Sequence, residues 1–210
     1  GVVTVRPDAS PDRVLGSPDL AARLTQVVEE YHPQVLVAAW SSVVGGPAAA
    51  PAALARALDL ALAPGDGVDG VVLLAVPRPG PGGTALGAQV AAVDAAEAAA
   101  GRADPGRVLA LPVAGALERG SRAPAWLPPP APAGSPAPGA RAWVRVRSTD
   151  GVDLCPPGIT RYAAPVLADL TALWDLPPAR PGWWNSYDVV ARAYDYPDRA
   201  LGTCPDDHPG

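Results

Sequence analysis

Phenylalanine, methionine and lysine do not occur in this chain of 210 residues, and isoleucine and asparagine occur once each. The core must therefore be made of Leu, Val, Ala and Trp. All sixteen basic residues are Arg, against twenty-one acidic ones, for a formal net charge of −5. The arginines are scattered, with the densest cluster at Arg141, Arg145 and Arg147. No basic face with interleaved aromatics forms, which argues against nucleic acid as a partner. Long apolar runs are lacking too. The best, Val35 to Val44, is shorter than the ~18 residues a membrane-crossing helix needs and carries two Ser, so no transmembrane segment is expected. No signal-peptide pattern is present, and Gly1 reads as a processed or artificial end, so the remainder of a larger polypeptide is one partner to consider. Histidine occurs only as His32 and His208, and only the second lies near a Cys in sequence. That argues against a metal site, and no cofactor motif is found.

Cysteine is limited to Cys155 and Cys204. Cys155 stands at a helix start, and Cys204 lies in a Pro/Gly/Asp tail with no obvious core of its own. A bridge between them closes a loop of about 50 residues, worth roughly 3–4 kcal/mol in the chain-entropy view. It would fit an exported, oxidising setting. Two unrelated buried thiols, or a metal pair, are the alternatives.

What is present is an alternation of helix and strand. Residues 18–32 carry Leu20, Leu24, Val27, Val28 and Tyr31 on one helical face, with Ser17 as N-cap, Pro18 in the first helical position and Pro33 as the stop. Gln34–Trp40 reads as a buried strand. An Ala/Leu-rich helix over 48–63, a turn at Pro64–Gly67 and a second buried strand, Gly70–Val76, follow. Then come a helix from Thr84 to Ala100, stopped by Gly101, and a third strand, Arg107–Val113. This order is the signature of a mainly parallel sheet covered by helices. Trp143–Arg147 alternates as a short strand does, and Pro156–Trp174 reads as a closing helix that Pro165 should kink. Residues 120–140, rich in Pro, Gly, Ala and Ser, read as an insertion within one domain spanning 1–210. From 177 to 210 the chain is a Trp/Tyr/Asp/Pro tail.

The most informative stretch is Ser148-Thr149-Asp150-Gly151-Val152-Asp153-Leu154-Cys155-Pro156-Pro157-Gly158. It resembles the last signature of the SGNH (GDSL-type) ester hydrolases, Asp-Gly-Val-His-Leu before a Pro/Gly helix start. The tail resembles those of exported actinobacterial members. The resemblance covers roughly residues 18–210. It implies a three-layer α/β/α sandwich with a mainly parallel sheet, an extracytoplasmic location, and a Ser-His-Asp site for acyl esters. Asp150 stands at the triad Asp. Asp153 stands where the family has His, and a carboxylate near pKa 4 has no N–H for Asp150 to orient.

Two further departures bear on activity. No Gly-Asp-Ser occurs. The nearest counterpart is Val2–Val5 followed by Asp8 and Ser10, with Pro7 in the turn; a plain turn after a strand is the simpler reading of Ser10. The strand before the family's polar oxyanion donor ends here in Ala39-Trp40-Ser41-Ser42, and either hydroxyl can donate or merely cap the strand. His208, four residues beyond Cys204, spans at most ~14 Å from the expected bridge and is a remote substitute base. The expectation is thus a degenerate SGNH-like domain without hydrolase activity, serving binding or scaffolding with a glycan or acyl-ester ligand. The alternative is an active esterase or O-acyltransferase acting on cell-envelope glycan or lipid esters, whose nucleophile is displaced or lies outside this chain. Three weaker features have blander readings. Gly80–Gly83 lacks the Lys of a phosphate loop, the tail carboxylates are solvated, and the tail aromatics cover a core edge.

Overall fold

A computed structural model describes residues 14–65, 67–80, 84–119, 122–128, 143–149, 151 and 154–173. These residues form a mixed α/β fold with parallel sheets and four α-helices, within two compact units. One unit holds residues up to Val76 together with Ala85–Pro112; the other holds Pro77–Thr84 and the residues from Val113 onward.

In the first unit, helix α1 runs Pro18–Tyr31. It starts where local chemistry dictates. Ser17 is in an extended conformation, its hydroxyl oxygen accepts the Leu20 N–H at 3.1 Å, and Pro18 needs no amide partner. Leu20, Val27 and Val28 are buried as expected, Leu24 is partly buried, but Tyr31 is exposed. His32 ends the helix in the left-handed region, φ 45°.

Strands β2 (Val35–Ala38), β4 (Gly70–Leu74) and β5 (Val108–Leu111) form a parallel sheet in the order β2-β4-β5. β4 is central. Its consecutive Val71, Val72 and Leu73 are all buried, so both faces of this strand are covered. β2 is shorter and less buried than the run Gln34–Trp40 predicts. Its one neighbour among the described strands is β4, and Val37 is 42 % exposed. A second parallel pair, β1 (Val14–Leu15) with β3 (Ser42–Val43), was not legible in the sequence.

Helix α2 (Ala50–Ala61), preceded by a short 3-10 turn at Pro47–Ala49, packs on α1 and on β1. Helix α3 runs Thr84–Ala103, through Gly101 and not up to it. A Cβ on Gly101 would lie 3.2 Å from both the Cβ and the N of Ala110 in β5. Glycine here lets the helix approach the strand, and that packing offsets its poor helix propensity. The core joins Leu15, Trp40, Leu54, Leu73 and Val93 with a lining of small alanines.

The second unit contains the antiparallel pair β6 (Trp126–Leu127) and β7 (Val144–Arg145), a 3-10 segment at Val113–Leu117, and helix α4 (Pro156–Leu173), which includes Pro165. Part of the expected 120–140 insertion is therefore strand. Leu117, Leu127 and Val146 form a small core, against which Val144, Leu154 and Tyr162 pack. Two guanidinium groups stack on indoles: Arg119 on Trp143 and Arg145 on Trp126, 5.4 and 5.3 Å from the ring centroids. Among the described residues no helix is long and apolar enough to cross a membrane.

Candidate functional site

In open α/β sheets, ligands bind beyond the carboxyl ends of the strands. In the first unit that end of β2 carries Trp40, Ser41 and Ser42. Trp40 is buried, and both serines are half-buried. Ser42 lies in β3, paired with Val14. The next amide, Val43 N–H, donates to Gln89 Oε1 of α3 at 3.0 Å. Gln89 thus ties α3 to this corner, a role the sequence alone did not signal. The imidazole of the described residues belongs to His32, at the C-cap of α1. His32 precedes β2 and the serines follow it, so the strand alone separates them by roughly 10–13 Å. A serine–imidazole pair cannot form between them.

The same unit has an apolar groove of about 1070 Å³ between α2 and α3. Pro51, Leu54, Leu58, Ala92, Ala96 and Ala99 are among its lining residues; its charged ones are Asp59, Asp104 and Arg107. No hydroxyl, thiol or imidazole side chain lines it among the described residues. Arg107 closes one end through its Nη2, which donates to Leu62 O at 3.1 Å and to Val68 O at 3.5 Å.

On α3, Glu97 is 2 % exposed, sharing the buried stripe of Val90 and Val93. Its Oε1 has no hydrogen-bond partner. Burial, reinforced by the nearby Asp94 carboxylate, pushes its pKa up to about 8. A carboxyl in such surroundings is largely protonated at neutral pH.

In the second unit, the segment leading into the Asp-Gly motif holds a fully buried arginine. Arg147 is 0 % exposed, and none of its three side-chain nitrogens has a hydrogen-bond partner. Burial lowers its pKa, while the Glu118 carboxylate opposes that shift. Glu118 Oε1 also lies 3.6 Å from Arg78 Nε. The Gly80 N–H donates to Gly151 O at 2.6 Å, and a Cβ on Gly80 would lie 3.5 Å from Arg147 Cδ. The loop after β4 is therefore laid directly along the arginine stem. Alternation along Trp143–Arg147 places Arg145 and Arg147 on one side of the strand, which gives no hint of this burial.

The described residues bring together Ser41, Ser42 and Gln89 in one unit, and Arg78, Gly80, Glu118 and Arg147 in the other. Ser10, Asp150, Asp153, Cys204 and His208 lie outside the described residues. Cys155 is buried, and no free cysteine occurs among the described residues. Among them, too, no group of three or more His, Cys, Asp or Glu side chains is arranged to hold a metal ion. No protein-family model matches the chain, and no curated protein matches it.

Proposed function

We propose that this chain is a degenerate SGNH-like domain, a three-layer α/β/α sandwich that acts outside the cytoplasm by binding and not by ester hydrolysis. One observation carries the reading. The hydroxyls at the carboxyl end of β2, Ser41 and Ser42, are on the far side of that strand from His32. Position 153, where the resemblance calls for the imidazole, is Asp. A serine hydroxyl without a neighbouring base is a poor nucleophile at neutral pH. The half-buried serines and the amide-holding Gln89 are suited instead to donating and accepting hydrogen bonds. A hydroxyl-rich or carbonyl-bearing ligand, such as a glycan or an acyl ester, suits that corner. A Cys155–Cys204 bridge is part of the same proposal, since it requires an oxidising compartment.

Labelling with a fluorophosphonate tests the reading. Intact-protein mass spectrometry is expected to find the chain unmodified after incubation with excess reagent. A stoichiometric adduct on any serine would contradict it and favour the acyl-ester hydrolase or O-acyltransferase alternative.

A further inference from the structure

We infer that Arg147 anchors a binding site for a carboxylate group, formed in the second unit by Arg147, the Pro77–Gly80 segment and Glu118. The first support is the state of the guanidinium. It is completely buried, and its Nε, Nη1 and Nη2 have no acceptor. A buried cation normally persists only with a counter-charge and satisfied N–H groups. Backbone oxygens nearby are committed elsewhere. Gly151 O accepts from Gly80, and Arg147 O accepts from Arg145 Nε at 2.9 Å.

The second support is the charge count around it. Glu118 is the described carboxylate whose field reaches Arg147, and it also faces Arg78 at 3.6 Å. Two guanidinium groups sharing one carboxylate leave a single uncompensated positive charge. That charge calls for one negative charge, not two. A planar carboxylate matches the planar fork of one guanidinium through two parallel N–H···O bonds. A phosphate dianion would leave a surplus negative charge in a buried place. Arg78, half-exposed at the edge of the cluster, is placed to meet the anion first.

This inference stands apart from the reading of the serines, and its failure would leave that reading untouched. The test follows the arginine Nε–Hε signals of the ¹⁵N-labelled full chain by NMR. Sodium acetate is titrated against sodium chloride at matched ionic strength. N-acetylalanine is titrated in parallel, to separate a small free acid from a peptide-borne carboxylate. The expected result is a saturable shift of one Hε signal with acetate, N-acetylalanine or both, not reproduced by chloride. That signal should disappear in Arg147→Lys, with carboxylate affinity reduced at least tenfold. Arg147→Met is the second variant, and it should abolish the saturable response. A response to neither carboxylate, or one that persists unchanged in Arg147→Met, would overturn the inference. So would a gain in acetate affinity in Asp150→Asn or Asp153→Asn, because the guanidinium would then be occupied internally.

Discussion

Replacing Glu97 should flatten the pH dependence of this protein's stability. The carboxyl is 2 % exposed in a valine-lined stripe of α3, its Oε1 is unpartnered, and its pKa is raised from 4.5 to about 8. The sign follows from linkage. In the folded chain Glu97 holds its proton up to about pH 8, whereas in the unfolded chain it releases it near 4.5. Below pH 4.5 both states are protonated and Glu97 imposes no pH-linked penalty. Between 4.5 and 8 the unfolded state is increasingly favoured, by about 1.36 kcal/mol per pH unit. Over the whole interval that is of order 5 kcal/mol, an upper figure because buried carboxyls gain partial solvation. Above pH 8 the loss is complete and constant. Glu97→Gln keeps the shape but cannot ionise, and Glu97→Leu also removes the unpaired oxygen. Urea unfolding at pH 5, 7 and 9 measures the effect. Wild type should lose several kcal/mol from pH 5 to 9 beyond what either variant loses. Glu97→Leu should be the more stable protein at pH 9. Parallel stability–pH curves for wild type and Glu97→Gln would refute the reasoning, since the side chain would then be as well solvated folded as unfolded.

Other outcomes follow from single contacts. Ser17→Ala removes the acceptor for Leu20 N–H and should cost about 1 kcal/mol in urea unfolding, with α1 retained in far-UV circular dichroism. Gly158→Ala should cost at least about 2 kcal/mol in the same assay, because the new Cβ would collide with the backbone carbonyl of Val146; an unchanged stability would mean α4 packs less closely. Unreduced protein unfolded in urea should not react with iodoacetamide, as expected of a Cys155–Cys204 bridge; two alkylated thiols would refute the pairing.

Local chemistry made the helices readable and left tertiary effects hidden. Ser17-Pro18 and Pro33 bracket α1 in the sequence as they do in the fold, because a cap and two prolines act within one turn. Gly70–Val76 was legible because a strand buried on both faces must be continuously apolar. Gly101 misleads, since it reads as a stop signal, yet the reason for it is Ala110, a neighbour in space across the α3–β5 contact. The run Gln34–Trp40 overstates burial because composition does not reveal that β2 has a neighbour on only one side among the described strands. At the site, Ser41 and Ser42 were found by their place after a strand. Gln89 and Arg147 were not, because their importance comes from Val43 in one case and from Gly80 and Glu118 in the other.

The central claim, a binding domain that has lost its catalytic base together with a working nucleophile, is tested most directly by the Asp153→His variant. The measurement is turnover of p-nitrophenyl acetate by purified wild type and variant. The account predicts no gain above about tenfold, because members of a catalytic triad act as a unit and one restored member recovers little. A larger gain that Ser10→Ala abolishes would contradict it, by showing that Ser10 is a working nucleophile awaiting only its base.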